Sequence, residues 1–122
     1  MILVDTSVWI DHFRTDRSKL GNLLSQTQVM VHPFVIGELA CGNLKNRAPI
    51  LGDLEALPAA VTATHEEVLR LVEVRRLGGL GIGWIDAHLL ASAILSKCQL
   101  WTLDTKLLRA SIAAGIHPYR HP

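Results

Sequence analysis

Ile2-Leu3-Val4-Asp5-Thr6-Ser7-Val8-Trp9-Ile10 opens the chain with three apolar residues, then an acid, then two hydroxyls, then a second apolar segment. A run this short and this rich in branched side chains reads as a buried strand. Asp5-Thr6-Ser7 can cap a helix that continues through Val8, Trp9, Ile10 and Phe13. The same grammar recurs downstream. Val29-Met30-Val31 precedes Pro33, which suits the first turn of a helix through Phe34, Ile36, Leu39 and Ala40, with Gly42 near its end. Leu100-Trp101-Thr102-Leu103 leads into Asp104 and a helix through Leu107, Leu108 and Ile112, closed by Gly115. Val61-Thr62-Ala63 reads as a weaker fourth strand, followed by a capping box formed by Thr64 and Glu67. Asp86 is expected to open a helix through Leu89, Leu90, Ala93 and Ile94, and segments 17–26 and 47–57 read as further helices, with Pro58 ending the second. Strands alternating with helices imply βα units and a mostly parallel sheet covered on both faces, so the expected fold class is α/β, a three-layer α/β/α sandwich.

The chain has 122 residues, 49% of them apolar and 19% charged. That suits one compact domain with a sizeable core, residues 1–122, and excludes a wholly disordered chain. No apolar run approaches the roughly 18 residues needed to span a bilayer. The segment before Asp5 is too short for a signal peptide, so no membrane association is expected. Cys41 and Cys98 lie in apolar, helix-like stretches without metal spacing and read as buried thiols, which makes a reducing cytoplasm the expected compartment. The net charge of +1 hides a partition: with four acids gathered in one site, twelve basic groups stand against the remaining seven acids, a balance compatible with a phosphate backbone.

Two strands end in or next to an acid, Asp5 and Asp104. Ligands of open parallel sheets bind at the carboxyl ends of strands. Asp86 lies at a helix start, and Glu38 lies inside a helix whose neighbours Val35, Ile36, Leu39, Ala40 and Cys41 are apolar. The aspartates could each serve merely as caps. Glu38 fits a surface role less well, because few faces of its helix lead to water. Four carboxylates converging from separate segments would repel one another, and hard cations that prefer oxygen ligands relieve that repulsion.

The ordered set Ile2-Leu3-Val4-Asp5-Thr6-Ser7, Glu38-Leu39, Asp86-Ala87-His88-Leu89-Leu90-Ala91-Ser92-Ala93 and Leu100-Trp101-Thr102-Leu103-Asp104 resembles a PIN domain across essentially the whole chain, and its size resembles the VapC-type toxins of toxin–antitoxin pairs. The resemblance implies a metal-dependent endoribonuclease, active as a homodimer and inhibited by a VapB-type antitoxin. Asp5, Glu38, Asp86 and Asp104 match the family's acidic positions, which hold one or two Mg2+ or Mn2+ ions. Thr6 or Ser7 and Thr102 match its polar residues beside the metal. The expected reaction is internal RNA hydrolysis by a metal-activated water, leaving a 5′-phosphate and a 3′-hydroxyl. One departure stands out. Family members often carry an acid two residues after the last aspartate, where this chain has Lys106, which removes a ligand for a second metal.

Gly78-Gly79-Leu80-Gly81-Ile82-Gly83 lacks the GxGxxG spacing of a nucleotide loop and reads as a flexible turn into the Asp86 helix. Trp9 and Trp101 read as core, whereas Trp84 is the best candidate for stacking on a base. Arg75, Arg76 and Lys106, together with Lys45 and Arg47, are candidate phosphate contacts, each with a solvated helix-end charge as the plainer alternative. The histidines show no metal spacing. Two other function classes fit less of the sequence. An aspartate-based phosphotransfer enzyme would want a second aspartate where Ser7 stands, and a non-catalytic RNA- or protein-binding domain would retain the fold without the chemistry.

Overall fold

The computed structural model describes residues 1–15 and 18–120. Its elements run β1 (Ile2–Val4), α1 (Thr6–Thr15), α2 (Ser18–Ser25), β2 (Val29–Met30), α3 (Pro33–Cys41), α4 (Arg47–Glu55), α5 (His65–Val74), α6 (Trp84–Ser96), β3 (Gln99–Trp101) and α7 (Thr105–Ala113). The sheet is parallel with order β2-β1-β3, Leu3 standing between Met30 and Leu100. Parallel neighbours require crossovers; the first runs from β1 out to β2 and the second returns from β2 past β1 to β3, and right-handed crossovers in opposite directions put helices on both faces. The result is the expected α/β/α sandwich. Leu3, Val4, Val29 and Leu100 are buried, so the strands carry continuous apolar runs.

Helix α6 is the central helix. Every residue from Ala87 to Ala93 is buried, and its first turn lies at the edge where the strands end, because it runs back to feed β3. A helix buried all round shows little amphipathic signal, and Leu89 and Leu90 join the main core. The Thr64–Glu67 capping box forms as expected, with reciprocal bonds of 3.1 and 2.8 Å. Gly115, at φ +80°, follows α7 in the left-handed conformation that glycine tolerates.

Several expectations need correction. Residues 61–63 form no strand: the pairing next to β2 is made earlier, by Val31 with Ala59, and the Val61 N–H donates to Ser96 Oγ at 2.9 Å. Local β-propensity had no free strand edge to satisfy it there. β3 stops at Trp101, not Leu103, where side-chain hydroxyls take over the amides that a longer ladder would use: Leu103 N–H donates to Ser7 Oγ and Asp104 N–H to Thr102 Oγ1, both at 3.0 Å. Helix α6 begins at Trp84 after an extended Gly83, so Asp86 sits in its first turn instead of opening it. Segment 17–26 is helical over Ser18–Ser25, and position 17 lies outside the described residues. The helix expected over 47–57 ends at Glu55, ahead of a turn into Pro58. Both cysteines are free as expected, but Cys41 is exposed at the end of α3 and Cys98 is half-buried.

His32 joins β2 to α3. It is 1% exposed, and its Nδ1 accepts the Phe34 N–H at 2.9 Å, capping the helix that carries Glu38. An accepting Nδ1 requires a neutral ring, and burial, reinforced by neighbouring His88, holds its pKa down to about 4 from the ordinary 6.5. Between those values the unfolded chain binds the proton and the native chain does not, so stability falls as pH drops through that window. We expect this residue to remove roughly 3 kcal/mol of stability on acidification from pH 6.5 to about 4, at about 1.4 kcal/mol per pKa unit. His32→Asn keeps a capping acceptor and flattens that acid limb in urea melts; an unchanged limb would refute the assignment.

Candidate active site

The four acids reach one edge of the sheet by four routes. Asp5 leaves β1 and Asp104 follows β3 by three residues; these strands are direct neighbours, with Asp5 N–H donating to the Trp101 carbonyl at 2.9 Å. Glu38 rides on α3, which follows β2, and Asp86 sits in the first turn of α6.

Asp5 is 5% exposed, and its carboxylate is held by a small hydroxyl network. Ser7 Oγ donates to Asp5 Oδ2 at 2.7 Å and Thr102 Oγ1 donates to the same oxygen at 2.8 Å. Each hydroxyl has a single proton, and each also accepts a backbone N–H, from Leu103 or Asp104. The donor direction is therefore set from the backbone, through the hydroxyl, to the carboxylate. Two hydroxyl donors thus satisfy one carboxylate oxygen of Asp5 in a buried place.

Glu38 is exposed, contrary to the expectation of an apolar setting. Val35 and Leu39 occupy the buried side of α3, while Glu38 faces out and accepts a 2.8 Å hydrogen bond from Thr6 Oγ1. That bond ties it to the residue beside Asp5. Asp104 does act as a cap: its Oδ1 accepts from Lys106 N–H at 2.9 Å and Leu107 N–H at 3.4 Å. Asp86 takes the Gly83 N–H back at 3.2 Å, the returning half of a capping box whose other half glycine cannot supply. Burial holds the Asp86 carboxyl above the usual carboxylate range, the Gly83 amide opposes that shift, and the charges of Asp5, Asp104 and Glu38 each push it further up. The four acids thus feel one another. Among the described residues, no three His, Cys, Asp or Glu side chains are drawn together tightly enough to grip an ion as they stand. The donor set itself is all oxygen, and its mutual repulsion is what a hard cation relieves.

The remaining candidates divide by position. Lys106 is the second residue of α7, and its side chain lies against Gly81 in the glycine loop before α6. Arg75 lies against Gly115, at the opposite end of α7 from Asp104, and Arg76 follows it in a left-handed turn. Trp84 is 40% exposed but sits two residues from Asp86, on a different helix face; its ring lies 4.9 Å from His88 and 5.0 Å from His65. The Arg47 guanidinium donates to the Ala40 carbonyl at the end of α3. Sequence reasoning did not single out His32, whose capping of the Glu38 helix lacked any signal stronger than its place before Pro33. From Glu38 a groove opens along Ile10, Phe13, Arg14, Leu39 and Leu44.

This fold, with carboxylates at the strand ends, is that of the PIN domain, and the family's model matches residues 2–113; the chain belongs to the PIN-domain family. It is 47% identical over 117 residues, 95% of this chain and 94% of the relative, to ribonuclease VapC32 of Mycobacterium tuberculosis, in strains H37Rv and CDC 1551 alike. Two solved structures share the fold at low identity. FitAcB from Neisseria gonorrhoeae has a TM-score of 0.67 at 17% identity, covering 98% of this chain and 97% of that one. PAE2754 from Pyrobaculum aerophilum has a TM-score of 0.62 at 18% identity, covering 92% and 80%.

The hydroxyl network makes a direct prediction. Thr102→Val preserves shape but removes one of the two donors to Asp5 Oδ2, at a cost of about 1–3 kcal/mol in stability. Urea unfolding at neutral pH measures it, and a variant as stable as the parent would show that the bond does not hold Asp5.

Proposed function

We propose that this chain is a metal-dependent endoribonuclease of the VapC type, acting through Asp5, Glu38, Asp86 and Asp104 as one PIN domain over residues 1–122. The observation that carries this reading is electrostatic: three acids from three other segments all bear on Asp86 at one sheet edge. The 47% identity to a ribonuclease supports RNA as the substrate.

A magnesium or manganese ion, held by these carboxylates, would neutralise their repulsion and offer a Lewis-acidic contact to a phosphate oxygen. Asp5 presents a carboxylate fixed by Ser7 and Thr102. Thr6 orients Glu38 toward the same edge. Asp104 stays at the strand end through its capping bonds. Asp86, in the first turn of α6 beside the other three acids, is the residue we assign to orient the attacking water. Lys106 contacts a phosphate beside the scissile one, Trp84 offers an exposed ring to an unpaired base, and Arg75 and Arg76 meet RNA only if it extends to the far end of α7.

Family resemblance also supports a VapB-type antitoxin, a homodimer and action in the cytoplasm. Ile10 and Phe13, exposed along the groove that begins at Glu38, suit an apolar segment of such a partner. Among the described residues, no helix is long and apolar enough to cross a membrane.

Asp5→Asn should abolish cleavage of total RNA while leaving the far-ultraviolet circular dichroism unchanged. Full activity in that variant, or in excess chelator, would refute the reading, and RNA binding without cleavage would favour a non-catalytic domain. Millimolar magnesium or manganese should raise the Tm of the parent protein and raise it less in Asp5→Asn, because an ion that binds only the folded state stabilises it. Equal responses would place the ion elsewhere.

A further inference from the structure

Within the glycine loop, Gly79 and Gly81 both have left-handed backbones, at φ +81° and +83°. They differ in one respect. A Cβ on Gly79 would meet nothing within 4 Å, whereas a Cβ on Gly81 would lie 2.9 Å from Lys106 Cδ, 3.4 Å from Cε and 3.5 Å from Nζ. The lysine stem therefore occupies the space that any side chain at 81 would fill.

The base of that stem is well anchored. The Lys106 N–H is bonded to Asp104 Oδ1 at 2.9 Å, and two residues beyond Gly81 the Gly83 N–H is bonded to Asp86 Oδ2. The side chain thus crosses from the helix start beside Asp104 to the loop that delivers Asp86. Its ammonium has no ion-pair partner among the described residues. A lysine in the first turn of a helix also opposes the helix dipole, so helix stability does not account for its presence. A cation lying across the loop between two acid-bearing segments, with no carboxylate of its own, is suited to an incoming anion.

We propose that Gly81 is a positioning residue for RNA cleavage: its missing side chain lets Lys106 lie across the loop and hold a phosphate of the RNA next to the carboxylates. The inference rests on the ribonuclease reading above and adds a residue that acts only through the lysine. The displaced atom would be the far end of a flexible side chain, so a methyl group at 81 moves the lysine without dismantling the fold.

The test compares four variants on a single-stranded RNA oligonucleotide, following kcat, KM, the salt dependence of KM, and Tm. Lys106→Met should raise KM about tenfold, the loss of one charge-assisted contact, and lower the salt slope by about 0.7, the loss of one phosphate contact on a single strand. Gly81→Ala should reproduce both changes. Gly79→Ala carries the same left-handed strain and should lower Tm as much as Gly81→Ala does, yet keep the parent KM and slope. Gly81→Ala with Lys106→Met should be no worse than Lys106→Met in KM, since both remove the same contact. An active enzyme in which Gly81→Ala and Gly79→Ala have equal KM and salt slope, or in which Lys106→Met changes neither, overturns the inference alone. A parent protein that neither binds nor cleaves RNA overturns the ribonuclease reading with it.

Discussion

A buried carboxylate at the end of the central strand is the constraint on which the rest of the site depends. A carboxylate at 5% exposure needs hydrogen-bond donors. The two that serve it, Ser7 and Thr102, come from the helix after β1 and the residue after β3. Because those hydroxyls also accept the amides of Leu103 and Asp104, the same network ends the β3 ladder and starts the turn into α7. Satisfying one charge thus shapes the strand end and places a second acid. Glu38 joins through Thr6, the neighbour of Asp5, so one short segment organises three of the four carboxylates.

The fourth acid shows the cost of the arrangement. Asp86 sits where burial and three like charges all disfavour its ionised form, with only the Gly83 amide acting the other way. A fold selected for stability alone would not place an acid there among three others. The central helix absorbs the cost: Ala87 through Ala93 are buried, and α6 cannot shift to relieve Asp86 without disturbing the core. Strain concentrated at one sheet edge and supported by packing beneath is the pattern expected of a functional site.

The strands, the capping box before α5 and the aspartates at 5 and 104 were legible because each has a local cause. A short branched run, a Thr–Glu spacing and an acid after a strand carry their meaning within a few residues. Glu38 and Cys41 were harder. The residues around them in α3 are nearly all apolar, so composition pointed inward, whereas the packing of Val35 and Leu39 leaves Glu38 and Cys41 facing out. Val61-Thr62-Ala63 misled in the opposite sense: β-propensity without an available neighbour makes no strand. His32 could not have been inferred, since histidine is not a favoured cap and its role depends on the pocket that keeps it neutral.

By itself, the sequence determined the α/β class and the parallel sheet, because hydrophobic period depends on near neighbours. It also held the ordered motifs that mark the PIN family. Tertiary structure alone decided which hydroxyls fix Asp5, that Glu38 is reached from Thr6, that Arg75 lies at the far end of α7 and that Lys106 lies over Gly81. Those are contacts between residues far apart in the chain, and their geometry exists only once the helices have packed against the sheet. Even the Asp5-Thr6-Ser7 triplet changed meaning in this way. Read locally it is a helix start, but in the fold its three side chains link β1 to β3 and to α3, and so build the site.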